Sequence, residues 1–119
     1  GYLDARKTHY HVQTYAFMLS NSALNFLLSK NFFKFPTRWT KPQTIVNYEI
    51  GLSQMLLDAG WNLNCLIESH SDLDFRRQSA EIDQLELIGD PCFINALNGF
   101  TLNPQEALFV KPSRGFNLY

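Results

Sequence analysis

The most constraining feature of this sequence is a stretch of helical periodicity between two punctuating residues, Pro42 and Gly60. Pro42 suits the first turn of a helix, where its missing N–H is not needed, and Gly60 suits the left-handed position after the last turn. Between them, apolar residues recur at helical spacing and form a stripe: Ile45, Leu52, Leu56 and Ala59. The sequence therefore predicts a helix over residues 42–59 whose apolar stripe faces a core.

Glu49 lies on that same stripe, four residues after Ile45 and three before Leu52. A carboxylate on a core-facing stripe needs an explanation, because burying an unpaired charge is costly. Two interpretations follow from the residues alone. Glu49 is either an acid at the edge of the helix, solvated or neutralised by Lys or Arg, or a functional group that faces a pocket.

Two further segments have the composition of strands, and a second helix lies between them. Residues 12–19 are rich in β-branched and aromatic side chains, and residues 61–67 follow the long helix as a second predicted strand. Asn21 or Ser22 can cap a short helix directly after the first strand. The order strand, helix, helix, strand predicts an α/β architecture. Residues 68–79 are polar and charged, which predicts an exposed loop.

The remainder of the sequence gives weaker patterns. Residues 79–89 favour a helix, and a second short helix is predicted between Asp90 and Gly99. An apolar run over residues 107–110 precedes a basic tail. The two cysteines, Cys65 and Cys92, indicate no disulfide framework and are predicted to be small buried side chains in a reducing cytoplasm.

Composition and charge exclude several classes of function. A chain of 119 residues forms one domain at most, and 45% hydrophobic with 18% charged residues is typical of an ordered protein. Ten basic residues against eleven acidic residues leave no clustered positive charge, so no nucleic-acid partner is expected. No apolar run approaches the roughly 20 residues that span a bilayer, so no transmembrane segment is expected.

Two blocks of sequence resemble a known family. "YHVQTYAFMLSNSAL" (residues 10–24) and "VNYEIGLSQMLLDAGW" (residues 46–61) are similar to the rhamnan synthesis protein F family, bacterial glycosyltransferase-like proteins of cell-surface polysaccharide assembly. That family pairs a His-[Ile/Leu]-Gln-Ser-Tyr strand with a Tyr-Glu-[Ile/Val]-Gly-Leu-Ser helix that ends in Ala-Gly-aromatic. The late "NPQEALFVKPSRG" is similar to the ending of related polysaccharide glycosyltransferases. The matching residues in the two blocks are Gln13, Tyr15, Tyr48, Glu49, Gly51, Leu52 and Gly60, with Thr14 in place of the usual Ser.

The resemblance implies a fold and a reaction. The fold is a partial GT-A-like (nucleotide-diphospho-sugar transferase) domain, a mixed sheet with flanking helices. Residues 1–119 would be a single domain or fragment, the acceptor-side portion of an inverting glycosyltransferase. The reaction is transfer of a sugar such as rhamnose from a nucleotide-sugar to a rhamnan, O-antigen or capsule polysaccharide. Two alternatives remain open: a non-catalytic glycan- or protein-binding module, and an unrelated α/β interaction domain.

The same resemblance assigns roles to individual residues. Glu49 takes the position of the catalytic base, which removes the proton of the acceptor hydroxyl, while Ile50 stands where many such enzymes keep a second acid. The predicted substrate-binding residues are His11, Gln13, Tyr15, Tyr48, Lys111 and Arg114. Lys111 and Arg114 could hold a diphosphate, although a solvated basic terminus is the simpler interpretation.

No metal site is expected within the chain. His9 and His11 share a spacing compatible with a metal, but no third ligand is evident. Asp72 and Asp74 form an Asp-x-Asp, yet in the GT-A order that motif precedes the Gln13 strand. The chain begins with Gly, so we expect it to be a piece of a longer protein. The GT-A order of the resembled family implies that the nucleotide-binding half lies upstream, and that half would supply any divalent cation, Mg or Mn. The expected location is the cytoplasm, at or near the inner face of the membrane.

Overall fold

The computed structural model describes residues 11–34, 36, 38–77, 103 and 105. Its elements are α1 (Asn21–Ser29), α2 (Lys41–Thr44), a π-helical segment (Ile45–Ile50), α3 (Gly51–Asp58) and a 3₁₀ turn (Glu68–His70). The chain divides into two compact units, residues 1–63 and residues 64–119. Within the described ranges, no helix has the length and apolar character needed to cross a membrane.

The predicted α/β fold with a mixed GT-A-like sheet is wrong for this part of the chain. Helices are the only regular elements among the residues described, and the two predicted strands, residues 12–19 and 61–67, are irregular. A strand needs a neighbour that satisfies its N–H groups. Here the N–H groups of Val12 and Thr14 are taken by side chains of the long helix instead. The N–H of Cys65 is likewise taken locally, by Asn64 Oδ1.

The long helix predicted over residues 42–59 is confirmed as a run of α2, the π segment and α3. Its start is fixed by a capping box. Thr40 Oγ1 accepts from the Gln43 N–H at 3.4 Å, and Gln43 Oε1 accepts from the Thr40 N–H at 2.9 Å. The π turns rotate the preceding residues relative to an α-helical register. Of the predicted apolar stripe, Leu52 and Leu56 are buried, whereas Ile45 is 37% exposed and Ala59 is also exposed.

The short helix α1 is also confirmed, with one correction at its start. The N-cap is Ser20, whose Oγ accepts from the Ala23 N–H at 3.2 Å, and the predicted caps Asn21 and Ser22 are its first two residues.

Helices α1 and α3 end in the same kind of left-handed cap. Gly60, predicted as this cap, has φ 102°, and Asn31 takes the equivalent position after α1 with φ 55°. In each case the N–H of the next residue bonds to the carbonyl five residues back, Trp61 to Leu56 and Phe32 to Leu27, both at 3.0 Å. This is the Schellman arrangement, which brings an aromatic side chain back against the helix it follows.

The core of the first unit lies between α1 and α3. Its buried apolar members are Ala23, Leu27, Leu52 and Leu56. Around them pack the partly buried side chains Leu19, Phe26, Phe32, Phe33, Met55 and Trp61. The rings of Phe26 and Trp61 lie 5.2 Å apart. The aromatic residues that follow the helix ends, Phe32, Phe33 and Trp61, therefore pack against the core.

Several predictions lie outside the described residues. They are the helix over residues 79–89, the helix between Asp90 and Gly99, the apolar run at residues 107–110, and the side chain of Cys92.

Candidate functional site

Glu49 lies at the end of the π segment and binds the segment that precedes α1. Its Oε1 accepts from the Thr14 N–H at 3.2 Å and from the Thr14 hydroxyl at 3.3 Å. Glu49 and Thr14 are both partly buried. The carboxylate on the predicted core-facing stripe is therefore hydrogen-bonded to Thr14. One interpretation of the sequence expected a Lys or Arg partner instead.

A second side chain of the same helix binds the same segment, so residues 11–14 form a tethered segment. Ser53 lies one turn after Glu49 and is fully buried, and its Oγ accepts from the Val12 N–H at 2.9 Å. Val12 and Thr14 are two residues apart, and the side chains that they bind are one helical turn apart, so the two contacts follow opposite orders along the segment and along the helix.

Gln13 lies between the two tethered residues and carries an unexplained polar atom. Its Oε1 is buried and has no hydrogen-bond partner within the described structure. Buried acceptors are nearly always paired, so an orphan of this kind marks a place where a donor is missing.

Tyr48 precedes Glu49, and its ring packs on the aromatic residues that follow α1. Its ring stacks on Phe32, with centroids 5.0 Å apart and planes 17° from parallel, and meets Phe33 at 6.4 Å. Burial raises the pKa of the Tyr48 hydroxyl above its usual value. These contacts give Tyr48 a packing role and hold the π segment against the end of α1.

For the other predicted site residues, the structure gives burial, or they lie outside the described residues. His11 is partly buried at the start of the tethered segment, and the side chain of Tyr15 is 51% exposed directly after Thr14. Lys111 and Arg114 lie outside the described residues. The structure therefore brings together Gln13, Thr14 and Glu49, and adds Ser53.

Sequence reasoning missed Thr14 and Ser53 as partners of this site. The signal that could have found them is the pairing of two patterns: polar side chains four apart on the helix, and alternate residues in an extended segment. Neither pattern is informative until the two segments are known to be in contact.

In the second unit, charged residues form a local cluster around Asp74. Arg76 donates from Nε to Asp74 Oδ1 at 2.7 Å and from Nη2 to Oδ2 at 2.9 Å, and Arg77 Nε lies 3.6 Å from Oδ2. Both carboxylate oxygens of Asp74 are thus paired with arginine.

No group of three metal-ligating side chains occurs among the described residues. Cys65, predicted to be buried, is exposed.

The Asp74 cluster leads to a prediction about acid pH. The hydrogen bonds from Arg76 lower the pKa of Asp74 from 3.8 to about 2. A carboxyl whose folded pKa is depressed stabilises the folded form above its unfolded pKa, and this contribution is lost as the pH falls from 3.8 through about 2. We expect Arg76→Gln to return the pKa of Asp74 toward 3.8, measured by NMR titration of its carboxyl carbon. Arg77→Gln is the matched control and should change it less, because Arg77 is 84% exposed and more distant. An unchanged titration in Arg76→Gln would contradict this.

Comparisons with known proteins add no assignment. Searches against protein-family models, curated proteins and solved structures found no match. The resemblance to the rhamnan synthesis protein F family therefore stays a prediction from the two sequence blocks, and the geometry around Glu49 is the feature against which it can be weighed.

Proposed function

We propose that this chain is part of an inverting glycosyltransferase. It would transfer a sugar such as rhamnose from a nucleotide-sugar to a growing cell-surface polysaccharide, with Glu49 as the catalytic base. The observation that carries the proposal is the contact between Glu49 and Thr14, 35 residues apart, because it joins the two blocks on which the resemblance rests. The proposal concerns the reaction and assumes no GT-A sheet.

The geometry of Glu49 suits proton removal. Both hydrogen bonds from Thr14 fall on Oε1, and Oε2 has no partner within the part of the chain described. In an inverting transfer, the acceptor hydroxyl gives its proton to a carboxylate oxygen as its own oxygen attacks the anomeric carbon. The bond to the nucleoside diphosphate breaks in the same step, and the diphosphate leaves with the electron pair. Oε2 is the oxygen of Glu49 that can receive the proton.

Gln13 supports a hydroxyl-rich ligand at the same place. Its buried Oε1 lacks a donor, and it belongs to the residue that precedes Thr14. Sugars offer many hydroxyl donors, and a site built to accept from a hydroxyl discriminates strongly against molecules that lack one. We assign Gln13 to binding of the acceptor or donor sugar on this ground.

The proposal assigns the nucleotide and the diphosphate to other parts of the protein. The nucleotide-binding half is expected upstream, and Lys111 and Arg114 remain proposed ligands of the diphosphate. A divalent cation finds no set of three ligands among the described residues.

The test is a transfer assay with the full-length protein. Labelled nucleotide-sugars are incubated with the protein and a lipid-linked glycan acceptor, and the anomeric configuration of the product is read by NMR. A single displacement on a base-activated hydroxyl inverts the anomeric carbon, so inversion is the expected result. Retention of configuration, or no transfer with any donor, would contradict the proposal.

A second candidate is a non-catalytic module that binds a protein or glycan. It is favoured by consecutive apolar side chains that follow the tethered segment, Phe17 at 40% and Met18 at 94% exposure. The Glu49 to Thr14 contact would then be structural only. Binding of the polysaccharide by full-length protein that transfers no sugar would favour this candidate.

A further inference from the structure

Thr14 supplies two hydrogen-bond donors to a single oxygen atom. Its N–H and its hydroxyl both reach Oε1 of Glu49, at 3.2 and 3.3 Å. Two donors that converge on one carboxylate oxygen restrict rotation about the last side-chain torsion of Glu49, which is otherwise broad. The other oxygen is thereby aimed in a fixed direction.

The position of Thr14 is itself fixed by the buried Ser53. The Val12 N–H donates to Ser53 Oγ at 2.9 Å, two residues before Thr14 and one helical turn after Glu49. Ser53 is fully buried, so its hydroxyl cannot exchange this bond for water. A shift of the segment by one residue would break both the Ser53 bond and the Glu49 bonds. The segment is therefore held in one register along the helix.

We propose that Thr14 is a positioning residue for the carboxylate of Glu49. In this role Thr14 bonds Oε1 of Glu49 and acts by orienting Oε2 toward the acceptor hydroxyl. This inference rests on the proposed function, because it takes Glu49 as the base. It adds that the hydroxyl of the residue at position 14, and not only its backbone, sets the rate of transfer.

The test compares two variants of the full-length protein. Thr14→Val keeps the shape and the N–H but removes the hydroxyl, and Thr14→Ser keeps the hydroxyl. Because a charged acceptor loses one of its two donors, we expect Thr14→Val to lower kcat about tenfold. The KM values of donor and acceptor should change less than twofold, and Thr14→Ser should restore most of kcat. Thr44→Val, which removes a hydroxyl bonded to Thr40 O in the same helix, is the matched control and should leave kcat unchanged.

The double variant separates positioning from a general structural role. In Glu49→Gln there is no base to orient, so adding Thr14→Val should cause no further loss of the residual rate. An equal loss in both backgrounds would overturn the inference, as would wild-type kcat in Thr14→Val when Glu49→Gln is inactive. Full activity of Glu49→Gln would instead overturn the proposed function, and this inference with it.

Discussion

Replacing Glu49 by Gln in the full-length protein should lower kcat for sugar transfer by about 10²–10⁴-fold, the usual contribution of a general base. The physical reason is specific to this site. An amide oxygen can still accept the two hydrogen bonds of Thr14, so the contact that holds the segment survives. A Gln side chain cannot take up the proton of the acceptor hydroxyl. Under the proposed function, the variant therefore removes the base and keeps the contact with Thr14.

The measurement is the initial rate of transfer, accompanied by thermal unfolding to confirm that the fold is preserved. Glu68→Gln is the matched control, because it makes the same chemical change in an exposed 3₁₀ turn. This substitution should leave kcat unaltered. Turnover of Glu49→Gln within a few-fold of the wild type would remove Glu49 from the mechanism.

Replacing Leu27 by Ala should destabilise the first unit by about 2–5 kcal/mol. Leu27 is 0% exposed, and its carbonyl also accepts the N–H of Phe32 in the cap that ends α1. Truncation leaves a cavity among Ala23, Leu52 and Leu56, and the aromatic rings around the core cannot close it fully. The free energy of unfolding should fall, while the helices keep the same residue ranges.

Urea unfolding followed by circular dichroism measures this loss. The neighbouring Leu28→Ala offers a matched control, because it deletes the same atoms from a side chain that is 55% exposed. Its effect should be well below 1 kcal/mol, since surface substitutions are usually within about 0.5 kcal/mol. Equal losses for the two variants would show that α1 does not face the core with Leu27.

The helices could be predicted from the sequence because their signals are local. Pro42 and Gly60 bracket the long helix, and the cap at Gly60 has the positive φ expected of it. The cap at Asn31 was missed, since Asn is a weaker marker of this position than Gly. The π segment was also missed, and with it the exposure of Ile45, because nothing in the apolar spacing distinguishes a wide turn from an α turn.

The strands could not be predicted because strand formation depends on a partner. Residues 12–19 have strand-like composition, but Ser53 and Glu49 take the N–H groups that a neighbouring strand would need. Composition records which residues suit a half-buried extended chain. It does not record what lies beside them, and here a helix lies there.

The candidate site was predictable only in part. Helical spacing placed Glu49 beside the core, and the resemblance placed Gln13 and Glu49 in the same reaction. The hydrogen bonds between Thr14 and Glu49 span 35 residues and depend on the docking of one segment on another. Periodicity contains no information of that kind, so Thr14 and Ser53 emerge only from the three-dimensional arrangement.

Glu49 holds the first sequence block against the helix that carries the second. Amide hydrogen exchange at Thr14, followed by NMR in the wild type and in Glu49→Ala, tests this contact most directly. Alanine removes the acceptor, so the Thr14 amide should lose its protection, while the Val12 amide, bonded to Ser53, keeps most of its own. Equal protection of Thr14 in both proteins would contradict the claim.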